Sequence, residues 1–189
     1  HSPNENRGRG EQSFWPFFAC TMAIFWVDGG MSNGTAPNLQ PTLIGKTVLI
    51  RPLHADDFDD MYAAAADPLI WEVHPVSNRH ERGVFQAFFE QGLATGSAFA
   101  ICDLANGAII GTSRYGGYDP DLREIEIGWT FITREYWGGA TNAEMKRLMI
   151  DHAFNFVDCV TFQVGERNMR SRGAMVKIGG VLRPDTIDV

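Results

Sequence analysis

Apolar and polar positions alternate in a way that divides the chain into strands and helices from about residue 43 onward. Lys46-Thr-Val-Leu-Ile-Arg51 reads as a first strand ended by Pro52, and Asp56 or Asp57 caps a helix whose apolar stripe is Phe58, Met61, Tyr62 and Ala65. A second helix is predicted from about His80 to Leu93, with Val84, Phe85, Phe88 and Phe89 inward. Ser97 to Asp103 and Ile109 to Tyr115 read as strands joined through Asn106-Gly107, a strong hairpin signal. Glu124 to Ile132 alternates polar with β-branched and aromatic residues, a strand that leads into Tyr136-Trp-Gly-Gly-Ala-Thr-Asn142. Ala140, Met145, Leu148, Met149, His152 and Phe156 then recur at helical spacing, with Glu144, Lys146, Arg147, Asp151 and Asn155 on the polar side. Cys159 to Val164 is a further strand ended by Gly165, and Asn168 opens a last helix that closes at Gly179-Gly180. Strand, turn, helix, strand, helix is a crossover unit, which predicts that the strands at 124–132 and 159–164 lie parallel and adjacent.

The turn before the 140s helix carries the first hint of chemistry. Gly138 and Gly139 let backbone approach an anion without Cβ interference, Thr141 or Asn142 can cap the helix, and the free amides of its first turn, Ala140 onward, point at whatever negative group sits above them. A phosphorylated cofactor suits this arrangement; the bland alternative is a tight turn before an ordinary amphipathic helix. Neither Gly-x-Gly-x-x-Gly nor Gly-Lys-Ser/Thr is present, so the dinucleotide and nucleoside-triphosphatase motifs are excluded. Charge points the same way. The chain of 189 residues has a formal net charge of −7, yet residues 134–183 hold eight Lys or Arg against five acids, a net of +3 that leaves −10 elsewhere. Positive potential therefore gathers on the half with the glycine turn, and an acidic remainder favours a cationic partner or simply keeps the surface solvated.

In three segments the residues resemble the GNAT superfamily of N-acetyltransferases, in its RimJ/RimL-like branch of ribosomal-protein N-terminal acetyltransferases. They are Glu126-Ile-Gly128, Tyr136 to Asn142, and Asn168-x-x-Ser171 followed by Ala174-x-x-Lys177-x-Gly179, within about Leu43 to Arg183. The resemblance implies an α/β fold with a mixed central sheet flanked by helices, and acetyl-CoA as the co-substrate without a metal. It implies that Gly138, Gly139, Ala140, Thr141 and Asn142 hold the pyrophosphate, that Phe131 and Ile132 pair with the pantetheine arm like an added strand, and that Asn168 hydrogen-bonds that arm. Transfer to a primary amine needs a base, and Glu126 fits, two residues before Gly128; the alternative is that Glu124 and Glu126 are exposed strand residues paired with Arg114 or Arg123. Many relatives carry a tyrosine two residues before the position of Lys177 to protonate the departing thiolate. Met175 stands there, so Ser171 becomes the candidate donor, or else it binds coenzyme or caps its helix. The loop between the first two helices makes Trp71, Glu72, His74 and Pro75 acceptor-pocket candidates, with core packing the competing role for Trp71.

The resemblance also implies an amine acceptor, a small molecule or a protein N-terminus, a cytoplasmic location, neither nucleic acid nor membrane as partner, and a homodimer as one assembly. Its departures matter. Glu135 stands where the family usually has Gln or Arg, with Arg134 next door to compensate. Too few residues follow Gly180 for the family's returning last strand, so a C-terminally incomplete domain over 42–189 with an exposed sheet edge is expected. A non-catalytic coenzyme A binding module, or an inactive fragment of an acetyltransferase, is therefore the alternative. Residues 1–41 read as an N-terminal extension, disordered or non-native upstream of Met31; the apolar run Phe14 to Val27 has the outline of a signal peptide but no small-x-small cleavage site. Three scattered cysteines, Cys20, Cys102 and Cys159, suggest neither a disulfide framework nor a zinc site, and His74 and His80 have no companion ligand spacing.

Overall fold

The computed structural model describes residues 19–25, 36–165 and 168–183. Its strands are β1 (Ala19–Phe25), β2 (Leu43–Ile44), β3 (Val48–Pro52), β4 (Ala98–Asp103), β5 (Ile109–Asp119), β6 (Glu124–Ile132), β7 (Cys159–Gly165) and β8 (Val181–Leu182). They form one sheet in the order β2-β3-β4-β5-β6-β7-β1-β8. The helices are α1 (Phe58–Ala65), α2 (Arg82–Ala94), α3 (Ala140–Ala153) and α4 (Met169–Lys177). All strand neighbours are antiparallel except β6 and β7, which α3 connects as a parallel pair, the arrangement the crossover pattern predicts.

Period-two alternation sends the strand side chains to two cores. Ile50, Phe99, Ile101, Ile125 and Ile127 pack with Met145 and Met149 of α3 and Met175 of α4. Ala98, Ala100 and Cys102 face the other way, onto Met61 of α1 and Phe85, Phe88 and Phe89 of α2. Tyr115, 1 % exposed, pins the first layer by donating its hydroxyl to the Met149 carbonyl at 2.6 Å. Asp57 does sit at the start of α1, but its carboxylate turns back to accept from Arg51 (2.7 and 2.8 Å) and from the His54 amide, and it caps no amide of that helix.

The edge expected to be bare beyond β7 is covered. All seven residues of β1 pair antiparallel with β7, from Ala19 opposite Gly165 to Phe25 opposite Cys159, and β8 then pairs with Met22 and Ala23. Met22 is buried in the core with Val160, Phe162 and Val164. Part of the segment read as an extension outside the domain thus supplies a strand inside the sheet. Its apolar residues have a use there that their sequence context did not reveal. Residues 36–41 also lie against the domain: Gln40 donates to the Ala98 carbonyl at 3.1 Å. The readings made of residues 1–18 and 26–35 fall outside the described residues.

Candidate active site

β6 and β7 pair only from Glu124 to Glu126, although both strands continue. Past that point Trp129 adopts a φ of 52°, a left-handed conformation that a bulky residue rarely takes, and the β5–β6 register slips beside it. The local bulge turns β6 away from β7 and opens a wedge in the sheet. Two cavities line this wedge, one of about 470 Å³ toward the glycine turn and one of about 230 Å³ toward the α1–α2 loop. They share Trp71, Val73, His74, Thr130, Lys146, Asn168 and Ser171, so they meet among these side chains.

The larger cavity fits a phosphate-bearing arm. Gly138 has a φ of 70°, which strongly favours glycine, and Gly139 is the N-cap of α3 with no side chain capping the first amides. The cap predicted at Thr141 or Asn142 is therefore displaced to Gly139: the helix begins at Ala140, and those two side chains lie inside its first turn. Gly138, Gly139 and Asn142 line the cavity together with Phe131 and Ile132, whereas Ala140 and Thr141 do not. The Ile132 carbonyl already accepts from Trp137 Nε1 at 2.9 Å, so it is not a free pairing group. Arg134, expected to compensate for exposed Glu135, is instead bound to Asp67. Positive charge comes from elsewhere. The Arg170 guanidinium stacks 3.6 Å above the Trp137 ring, and both Arg170 and Lys177 border the cavity.

Asn168 caps α4, its Oδ1 accepting from the Ser171 amide at 3.0 Å, which rules out the capping role for Ser171 itself. Asn168 and Ser171 both reach the junction, and Met175 is fully buried beside them. Trp71 serves twice: its Nε1 donates to the Ala65 carbonyl at 2.8 Å within the core, and its ring borders both cavities. His74 and Pro75 line the smaller cavity, while Glu72 is exposed and does not. Burial, helped by neighbouring Arg79, pushes His74 down to about 4, so its ring is neutral at ordinary pH.

The two glutamates of β6 separate clearly. Glu124 is bound by Arg183 at 2.6 Å, and Arg123 is held by Asp158 at 2.6 Å, which leaves neither for Glu126. Burial pushes Glu126 up to about 7, partly offset by Arg114. Glu126 lines neither cavity directly. It stands behind Gly128, where an added Cβ would come 2.8 Å from its Oε1, and Gly128 itself lines the smaller cavity.

Lys146 is the residue that the sequence reading misassigned. Assigned there to the polar side of its helix, it is only 6 % exposed and reaches the junction. The signal existed, since Met149, Ile150 and Ala153 follow it at helical spacing and are buried, but its charge outweighed its position. Among the described residues no group of His, Cys, Asp or Glu could hold a metal, and no helix is long and apolar enough to cross a membrane.

The sheet thus opens between two parallel strands, with an uncapped helix start and two cations bordering one cavity and Glu126 set back behind Gly128 near the other. The chain belongs to the GNAT acetyltransferase family: the sequence profile of the Acetyltransferase (GNAT) domain matches residues 47–181. Its fold is similar to that of an acetyltransferase from Agrobacterium tumefaciens (24% identity, covering 82% of this chain and 91% of that one, TM-score 0.62). It is likewise similar to a GNAT-family acetyltransferase from Bacillus anthracis (16% identity, 74% and 82%, TM-score 0.63). A third likeness is to RimJ of Mycobacterium smegmatis in complex with CoA-disulfide (17% identity, 87% and 76%, TM-score 0.55). No curated protein matches the chain by sequence.

Proposed function

We propose that this protein moves an acetyl group from acetyl-CoA to a primary amine by direct transfer, with no covalent enzyme intermediate. The observation that carries the reading is the meeting of the two cavities at Thr130, Asn168 and Ser171, where a thioester from one side and an amine from the other come within reach. The coenzyme supplies an activated carbonyl: the amine nitrogen forms a bond to it as the carbon–sulfur bond breaks, and the amine proton and the thiolate must each be dealt with.

The residues divide that work. The first amides of α3 above Gly138 and Gly139, with Arg170 and Lys177, bind the phosphates. The free edge of β6 near Phe131 holds the pantetheine arm, with the side-chain amide of Asn168 beside it. Glu126, ionised above a pKa of about 7, takes the amine proton through water. Ser171 gives a proton to the sulfur, and a backbone amide of Trp129 to Ile132 steadies the oxyanion. A RimJ-like neighbour favours a protein N-terminus as acceptor, and a small amine is the other class; a cytoplasmic enzyme, monomeric or homodimeric, is consistent with both. Met175 in place of a tyrosine favours a second reading, coenzyme A binding without turnover.

Calorimetric titration of acetyl-CoA into the full chain tests the proposal, repeated with Gly139→Glu, whose carboxylate would repel the pyrophosphate. Binding that weakens by at least about 100-fold in the variant, on the order of 3 kcal/mol, supports the site; no binding by the folded wild type sinks it. Turnover of a panel of amines then separates the enzyme from the binding module.

A further inference from the structure

Lys146 is a buried cation that the described residues leave without a counter-charge. It lies on the face of α3 that Met145, Met149 and Ile150 turn toward the sheet. Its Nζ stands 5.2 Å from the centre of the Phe162 ring, on β7 just past the point where β6 leaves. No hydrogen bond or ion pair to this ammonium occurs among the described residues, and burial lowers its proton affinity, to about 8, with no carboxylate of the described residues bearing on it. At neutral pH most of the population is therefore still charged. Arg51 is answered by Asp57 and Glu124 by Arg183, whereas Arg79 and Arg114, like Lys146, lie over aromatic rings with no ion pair among the described residues.

An ammonium held largely away from bulk water without an anion is costly, and replacing it with an apolar residue ordinarily improves a fold. Its place in the molecule says what could offset that cost. Lys146 borders both cavities, so it stands where the acyl group must lie for an amine to reach the thioester. The coenzyme phosphates are not its counter-charge: six residues along α3 put it about 9 Å from the helix start at Ala140, where the glycine turn and Arg170 already answer them. The missing anion belongs at the other end of the donor.

We propose that Lys146 recognises the far end of the acyl group, and that the donor this site prefers is a coenzyme A thioester whose acyl chain ends in a carboxylate, of the succinyl or malonyl class. The inference rests on the transferase reading and names its donor more closely. Acetyl-CoA shares the phosphate and pantetheine contacts and still binds, but it leaves the ammonium unanswered.

The test compares acetyl-CoA, succinyl-CoA and free coenzyme A by calorimetric titration into the wild type and Lys146→Met. Wild type should bind succinyl-CoA about tenfold tighter than acetyl-CoA, the scale of one charge-assisted contact. Lys146→Met should erase that preference, weakening succinyl-CoA by about tenfold more than acetyl-CoA or coenzyme A. Equal affinity for the two thioesters in the wild type would overturn the proposal, as would a variant that loses all three ligands equally, which would mark a structural role. Should the variant not fold, the wild-type comparison of thioesters decides alone. No binding of any of the three by folded wild type would bring down the transferase reading itself, an outcome distinct from binding without preference.

Discussion

The two ends of β6 behave differently within one strand. From Glu124 to Glu126 it is hydrogen-bonded on both edges, and the charges around it are closed off in pairs, Glu124 with Arg183 and Arg123 with Asp158. Beyond Trp129 it keeps only β5, and the groups around its free edge, Lys146 among them, face cavities. A sheet satisfies its polar groups by pairing, so a strand that gives up one neighbour midway leaves groups open to water or to a ligand. Glu126 stands at the boundary, on the last paired residue, half-buried and unclaimed by any arginine that could neutralise it fully. What differs between the two ends is whether the protein completes its own interactions.

Glu126→Gln should break this contrast most severely. Loss of the base is expected to lower kcat/KM by about 100- to 10,000-fold while coenzyme affinity in calorimetry stays unchanged. In the wild type the rate should rise with pH through about 7 as the carboxylate ionises, and the variant should lose that limb. The same group has a stability signature of opposite sense. Its folded pKa lies above the unfolded value of 4.5, so the folded state binds more protons between about 4.5 and 7, and stability falls as pH rises across that window. A rate profile without a break near 7 would remove Glu126 from the mechanism.

A smaller effect of the opposite sign is expected at the open end. Lys146→Met should stabilise the free protein by about 1–3 kcal/mol in urea denaturation at pH 7. Because folding lowers the lysine pKa from 10.5 to about 8, wild-type stability should rise as pH climbs from about 8 to 10.5, and the advantage of the variant should shrink over that range. A variant less stable than wild type would mean that the ammonium has a partner after all. The smallest effect belongs to the closed end: Glu124→Gln should cost about 1 kcal/mol of stability through the half-exposed bridge to Arg183, with turnover unchanged. Equal losses of turnover from Glu124→Gln and Glu126→Gln would erase the distinction between the two ends.

How legible each part was depended on how local its cause is. The alternation in Glu124 to Ile132, the glycine turn and the stripe of α3 are set by neighbours within a few residues, and the crossover followed from their order. Glu126, Asn168 and Ser171 were visible as residues in motifs, and the resemblance preferred Glu126 to Glu124; the ion pairs that set the two glutamates apart were not visible, because Arg183 and Asp158 reach β6 from far along the chain. Lys146 was misread because its charge suggested solvent while its spacing suggested core. β1 was missed for a stronger reason: an apolar run reads alike whether it fills a sheet or leads a chain to a membrane, and only its pairing tells them apart. Arg170 entered only as one of the basic residues of 134–183, since its stacking on Trp137 lies on a different element.

That pairing also bears on how the molecule assembles. Thr21 meets Gln163 across 142 positions, and Arg183 reaches back to the Thr21 carbonyl, so β1 leaves the ribosome early and waits for nearly the whole domain before its slot exists. Contacts of such sequence separation close late and slow folding. The wall of the wedge formed by β7 therefore acquires its outer support last, and binding competence should lag behind the appearance of helical signal during refolding.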